Sequence, residues 1–213
     1  MSKREQQKNL RRRTILDAAR ALILEDQSRD FSMPALAEKA GVSLVTPYNL
    51  FGTKSNILLE IAREDIFERA RDIDALACKN LVDWISDLSR TLARVYYSKR
   101  HYYRRMIITL TAQESGEVQR ESLALTCGMY ETALARIVED KFLQPVIPVE
   151  VLARYIAHCV SGALQRRLME RVSEDRLRTD IELAVLLVLA GICADVERAP
   201  LVERIEALGR AAV

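Results

Sequence analysis

The chain has 213 residues, of which 49% are hydrophobic and 29% are charged. This is the balance of an ordinary globular protein, and it excludes a largely disordered chain. Only 7 glycines and 5 prolines are present, which favours helices over sheets. The longest apolar run, residues 183–194, is too short for a membrane span of roughly 18 residues or more. No apolar run follows the basic N-terminus, as it would in a signal peptide.

Positive charge is concentrated at the N-terminus. The first 13 residues hold six basic side chains and one acidic one, a net charge of +5, whereas the whole chain carries +2. A short basic arm ahead of a helical domain is suited to contacting phosphates, and Arg12 and Arg13 are candidate contacts. The alternative is a solvated tail without a function.

The cysteine pattern argues against a metal site. Cys78, Cys127, Cys159 and Cys193 lie far apart, and neither histidine has ligand spacing to any of them. A zinc site and a redox pair are therefore not expected. We predict four reduced, buried thiols in a cytoplasmic protein that needs no metal and no cofactor.

Hydrophobic periodicity predicts two helices after the basic arm. The first begins at Thr14 and turns a stripe of apolar side chains inward: Ile15, Ala18, Ala19, Leu22 and Ile23. The second covers residues 33–40, with Ser32 as its N-cap and Gly41 just past its end.

A third helix is predicted after Ser43, which can cap it, and Pro47 indicates a start one residue later than this cap alone would give. This helix carries Pro47 in or just after its first turn, where the missing N–H costs least, and Phe51 facing inward. Two short helices joined by a glycine-containing turn form a helix-turn-helix, whose second helix lies in the DNA major groove.

The polar residues of the third helix fit DNA recognition. Asn49 can bond adenine with both ends of its amide, and Thr46 offers a hydroxyl and a methyl group. Tyr48 and Lys54 are suited to phosphate oxygens. The alternative is an ordinary three-helix segment of a bundle with solvated polar side chains. The full set of predicted DNA contacts is Arg12, Arg13, Ser32, Ser43, Leu44, Val45, Thr46, Tyr48, Asn49 and Lys54.

Residues 11–60 resemble the N-terminal domain of TetR-family transcriptional regulators. The stretch "SMPALAEKAGVSLVTPYNLFGTKSNIL" follows the family pattern "xxLAxxAGVS" and "xxTxYxxFxxKxxL", with departures at Pro47 and Leu50. The resemblance implies an all-α fold with two domains. Residues 1–54 would form the basic arm and the three-helix, helix-turn-helix DNA-binding domain. Residues 55–213 would form a larger helical domain for effector binding and dimerisation.

The last two long helices predict a homodimer. The segment "VEVLARYIAHCVSGALQRRLM" is apolar on two sides, and residues 183–194 are apolar all round, so both need burial on two sides. A second copy would supply it through a four-helix interface, as the family resemblance also implies. The alternative is monomer core. The predicted interface residues are Tyr155, Cys159, Gly162, Leu187 and Gly191.

The resemblance also implies a small-molecule effector bound among the middle helices. Aromatic and methionine side chains suit a largely apolar pocket, although each could be plain core. The candidates are Trp84, Tyr103, Met106, Tyr130 and His158. Arginines at 104, 105, 166 and 167 could receive an anionic ligand, but such residues are more often solvated.

No enzyme motif is present: the chain has no glycine-rich phosphate loop, no GxSxG and no HExxH. We therefore predict no catalytic residues. The prediction is a homodimeric, sequence-specific regulator that binds double-stranded operator DNA, and a repressor released by a small molecule. The alternative is an all-helical dimeric interaction module without DNA binding.

Overall fold

The computed structural model describes residues 2–25, 31–111, 116–170, 172–193 and 195–211. These residues form helices and contain no β-strand, so the predicted all-α class is confirmed. The helices are α1 (Lys3–Glu25), α2 (Met33–Lys39), α3 (Val45–Phe51), α4 (Lys54–Asp74), α5 (Leu81–Ser98), α6 (Arg100–Thr111), α7 (Glu117–Glu139), α8 (Val149–Glu170), α9 (Glu174–Ala190) and α10 (Asp195–Ala211).

Helix α1 begins eleven residues before the predicted start at Thr14. The Ser2 hydroxyl accepts from the Glu5 backbone N–H at 3.2 Å, and the Glu5 carboxylate accepts from the Ser2 backbone N–H at 2.8 Å. This reciprocal pair is a capping box, and no glycine or proline lies between it and Glu25. The prediction of a separate basic arm ahead of the first helix is therefore wrong, because these residues form the first three turns of α1.

The chain divides into two compact units. Unit 1 consists of Met1–Asp65 and His101–Ser122, so α6 belongs with the first three helices. In its core α1 packs on α2 and α2 on α3. The central side chains of this core, all fully buried, are Ile15, Ala19, Leu36, Ile57, Leu58 and Ile61. The predicted functional division at residue 54 stays a prediction, since these units are defined by packing.

Unit 2 consists of Ile66–Arg100 and Leu123–Val213. Helix α9 is its centre, because α5, α8 and α10 all pack against it. Buried leucines, isoleucines and valines fill the space between these helices. One charged side chain, Glu182 of α9, is also fully buried there.

The cysteines differ from the prediction of four buried thiols. All four are thiols outside any disulfide, but only Cys193 is buried, whereas Cys78 and Cys127 are half-buried and Cys159 is exposed. Burial is the main cause that raises the thiol pKa of Cys78 and Cys127, so both are poor nucleophiles at neutral pH. In the described part of the chain, no helix is both long and apolar enough to cross a membrane.

Candidate nucleic-acid interface

The turn between α2 and α3 is built as the sequence predicts. The Ser32 hydroxyl accepts from the Ala35 backbone N–H at 3.2 Å and caps α2. Gly41 has a φ of 64°, in the left-handed region that glycine adopts without strain. The Val42 N–H donates to the Ala37 carbonyl at 3.0 Å, which completes the C-terminal cap of α2.

Helix α3 starts at Val45, one residue later than a cap at Ser43 would give, as Pro47 indicated, and Ser43 is not its N-cap. Leu44 occupies the cap position without a side-chain hydrogen bond, while the hydroxyls of Ser43 and Thr46 lie 2.8 Å apart. A cap side chain bonds the N–H of the second or third helical residue. The third residue here is Pro47, which has no N–H, so a polar cap at Leu44 would lose one of its two targets.

The outer side of α3 combines apolar and polar side chains. Leu44, Val45 and Tyr48 are 48%, 60% and 47% exposed, and Asn49 is exposed beside them. Pro47 and Phe51 are buried on the inner side. Thr46 is half-buried and bonded to Ser43, so it is less available than the prediction assumed.

Arg12 is held inside unit 1 beside the C-terminal end of α3. Its guanidinium donates to the Leu50 carbonyl at 2.8 Å and to the Glu60 carboxylate at 3.3 Å. The same group lies 4.3 Å from the centre of the Phe51 ring. These contacts tie α1, α3 and α4 together, so the structure gives Arg12 a positioning role. The direct DNA contact predicted for Arg12 stays a prediction, as does that of the exposed Arg13.

A second capping turn joins α3 to α4, and sequence reasoning missed it. Gly52 has a φ of 76°. The Thr53 hydroxyl accepts from the Asn56 backbone N–H at 3.2 Å, and the Asn56 side chain donates to the Phe51 carbonyl at 2.7 Å. Thr53 directly after Gly52 carried the signal, since threonine just before an apolar-periodic stretch is a preferred N-cap residue. Lys54 opens α4 from this turn, with its ammonium 5.0 Å from the Phe31 ring centre.

A partly buried polar chain connects three helices of unit 1. The Tyr102 hydroxyl of α6 donates to the Asp65 carboxylate at 2.8 Å, and Arg20 of α1 donates to Asp65 at 3.4 Å and to Glu64 at 2.8 Å. Burial, and then the Asp65 charge, raises the pKa of Tyr102, so Tyr102 remains the donor. Burial lowers the pKa of Arg20, but Glu64 and its other partners outweigh this effect and raise the pKa overall.

Replacing Tyr102 with phenylalanine is expected to destabilise unit 1. The change removes a hydrogen bond to Asp65, which is only 9% exposed and cannot regain that bond from bulk water. The expected loss is about 1–3 kcal/mol in the free energy of unfolding, measured by denaturant titration. Tyr48→Phe removes an exposed hydroxyl and serves as the matched control. Equal stability of the two variants would contradict a structural role for the Tyr102 hydroxyl.

The five predicted effector-binding residues lie in different parts of the chain. Trp84 and Tyr130 are buried in the core of unit 2, and Tyr103 and Met106 are buried residues of unit 1. His158 is exposed on α8, with Nδ1 2.7 Å from the Arg154 carbonyl oxygen, so it is not the core residue that the sequence alternative described.

Trp84 lines a small cavity of unit 2, of about 70 Å³. The other lining residues come from α4, from α7 and from the segments that follow these two helices, and include Ile73, Leu76, Cys78, Ala133, Arg136 and Ile137. Ordinary small-molecule pockets have roughly 300–1,000 Å³. This cavity therefore does not accommodate a drug-sized effector as it stands.

The predicted interface residues form exposed rows on two helices. Tyr155, Cys159 and Gly162 recur at helical spacing on α8, and all are exposed. Leu187 and Gly191 lie one turn apart at the C-terminal end of α9, and both are exposed as well. Leu187 is 60% exposed and Tyr155 57%, so each helix buries one apolar side in unit 2 and leaves another uncovered.

Comparisons with known proteins agree with this architecture. A family profile described as "Bacterial regulatory proteins, tetR family" matches residues 15–61, which span α1 to α4. No curated protein matches the chain in sequence.

Solved structures share the fold at low sequence identity. FadR of Thermus thermophilus, a TetR-family transcriptional repressor in complex with lauroyl-CoA, is 19% identical with a TM-score of 0.68, over 84% of this chain and 94% of that one. SmeT, the repressor of the Stenotrophomonas maltophilia multidrug efflux pump SmeDEF, is 22% identical with a TM-score of 0.59, over 86% and 91%. RolR in complex with resorcinol is 15% identical with a TM-score of 0.64, over 93% and 94%.

The match to the helix-turn-helix domain and the shared fold of the whole chain agree with the geometry of α2 and α3. Residues 15–61 thus match the TetR family of bacterial regulatory proteins, and the chain shares its fold with TetR-family transcriptional regulators.

Proposed function

We propose that the protein acts as a homodimeric repressor that reads an operator with α3 and leaves it when a small molecule binds. The exposed row Leu44, Val45, Tyr48 and Asn49 carries this proposal, since it offers apolar, phenolic and amide groups on one surface. Asn49 would read a base edge. Tyr48 and Lys54 would contact phosphates. Binding to operator DNA places the protein in the cytoplasm.

Dimerisation through α8 and α9 supports operator recognition. The uncovered apolar rows on these helices need a partner, and a second copy brings the same rows. A two-fold dimer presents two copies of α3 to a near-palindromic site, with half-sites roughly 34–36 Å apart. Each copy alone would contact only one half-site.

The effector is expected to be a small, largely apolar molecule. FadR was solved with lauroyl-CoA and RolR with resorcinol, and each of these ligands contains an apolar portion. The effector must bind one conformer of the protein better than the DNA-bound conformer. Trp84 and Tyr130 remain candidate contacts, because both lie in the core of unit 2.

The test is selection of operators from random duplex DNA at moderate salt, with the purified full chain. A near-palindromic motif is the expected result. If a folded dimer enriches no motif, also after unfolding, washing and refolding to remove copurified ligand, the regulator proposal is wrong. An all-helical interaction module without DNA binding is then the better description.

Asn49→Ala is expected to reduce discrimination at one base pair of each half-site by roughly 1–3 kcal/mol. Tyr48→Phe is the contrast, because loss of a phosphate contact weakens binding to all sequences alike. The measurement is the affinity of both variants for the selected operator and for its single-base variants. Unchanged discrimination in Asn49→Ala would remove Asn49 from base reading.

A further inference from the structure

The first three turns of α1 carry a basic row that the helix-turn-helix does not use. Arg4, Lys8 and Arg11 are all exposed and stand at positions i, i+4 and i+7 of a continuous helix. Residues with this spacing share one helical face. We call these three residues the basic row.

The basic row continues the face that α1 turns toward the core of unit 1. The next position in the same helical row is Ile15, which is 0% exposed and belongs to that core. The face is therefore apolar where it joins this core and cationic along the turns that precede Ile15. A helix that only needed solubility would carry its charges on the opposite side, away from the core face.

Arg12 fixes this extension relative to α3. Arg12 follows Arg11 in the sequence, and its guanidinium donates hydrogen bonds to the Leu50 carbonyl and the Glu60 carboxylate. The capping box at Ser2 and Glu5 holds the far end helical. The cations are thus carried on folded backbone, and no backbone entropy has to be lost when a ligand binds them.

We infer that the basic row is a second DNA-contacting surface, which binds the phosphate backbone beside the half-site that α3 reads. The inference rests on the proposed function of α3 and adds a sequence-independent contact to it. The proposed ligand is duplex DNA because all three side chains of the basic row are cations, which attract phosphates. The row follows a helix that rises 1.5 Å per residue. From Arg4 to Arg11 it spans about 10 Å, roughly the axial length of three phosphates on one strand at 3.4 Å each.

The test compares two triple variants of the full chain on the operator selected by the parent. The first is Arg4→Ala/Lys8→Ala/Arg11→Ala, which keeps a strong helix former at each position. The control is Lys79→Ala/Arg94→Ala/Arg210→Ala, which removes the same charge from exposed cations of unit 2. Affinity is measured from 50 to 200 mM salt, and helix content is measured by circular dichroism.

The basic-row variant is expected to bind on the order of 100-fold more weakly near 0.15 M salt. The slope of log K against log salt is negative, and its magnitude should decrease by about 3 for each protomer, since each phosphate contact contributes about 0.9. The base preferences of this variant should equal those of the parent. The control variant should keep the parental slope.

Three outcomes would overturn the inference. Equal slopes for the two triple variants would make the basic row a solvated face, and altered base preferences would assign it to base reading. If the alanine variant loses helix content, the single variant Lys8→Gln is compared with the parent instead. It must lower the magnitude of the slope by about 0.9 for each protomer. An unchanged slope would overturn the inference. Failure of the parent to bind any duplex contradicts the proposed function instead, before any variant is compared.

Discussion

Leu187→Glu is expected to yield a monomer that binds its operator at least ~100-fold more weakly than the parent. Leu187 is 60% exposed on α9, so glutamate is accepted without cost in the isolated protomer. In a dimer closed by α8 and α9, two-fold symmetry would bury the new carboxylate with an identical charge nearby. The loss of operator affinity follows because two linked half-site contacts exceed a single one by 10²–10⁴-fold.

Sedimentation and operator titration of the same preparation check both parts of this expectation. Val202→Glu is the matched control, since Val202 is an exposed apolar residue on α10 outside the proposed interface. The control should remain a dimer with parental affinity. A dimeric Leu187→Glu protein would place the interface elsewhere, and a monomeric one with undiminished affinity would remove the need for a dimer in operator binding.

The helix-turn-helix was predictable because local chemistry dictates it. Ser32 caps α2 and Gly41 ends it, and both roles depend on hydrogen bonds and backbone angles within a few residues. Phe51 was predicted inward from helical periodicity and is buried. Such short-range signals do not depend on how the rest of the chain folds.

The start of α1 was missed, whereas the start of α3 could be predicted to within one residue. For α1, apolar periodicity begins at Thr14, but the helix itself begins where the Ser2 and Glu5 capping box stands. Periodicity reports which turns are buried, not where hydrogen bonding starts. For α3, Ser43 suggested a cap, and Pro47, which has no N–H to donate, indicated the start one residue later that the structure has.

Sequence patterns could not identify an effector site, because the same periodicity builds core and pocket lining. Trp84 and Tyr130 are buried, and His158 lies on the surface. The positioning role of Arg12 was equally hidden, since its partners Leu50 and Glu60 are 38 and 48 residues away. Contacts of that range depend on packing that no local pattern records.

The polar network around Glu182 gives the second large expected effect. Glu182 has 0% exposure and is fixed from three helices of unit 2. Its carboxylate accepts from Ser86 of α5 at 2.7 Å, from Arg204 of α10 at 2.7 Å and from Arg178 of α9 at 3.0 Å. The two arginine side chains are 34% and 28% exposed, so they can reach water whereas the carboxylate cannot.

This difference in exposure predicts that loss of the cations is worse than loss of the anion. Arg178→Met/Arg204→Met leaves a buried carboxylate with Ser86 alone, and the expected loss is about 3–5 kcal/mol in the free energy of unfolding. Glu182→Gln should cost less, about 1–2 kcal/mol, because the amide oxygen still accepts from Ser86 and the arginines turn to solvent.

Adding Glu182→Gln to the double arginine variant should therefore recover stability, although each change alone lowers it. That sign reversal is the decisive measurement, since independent sites would give additive losses. Dimerisation contributes to the measured stability and would distort the comparison of the variants. This concerns Glu182 in particular, because it lies on the same helix as Leu187 of the proposed interface. All variants are therefore measured by denaturant titration in the Leu187→Glu background. Additive losses in that background would mean that removing Arg178 and Arg204 does not leave the Glu182 carboxylate as an uncompensated buried charge.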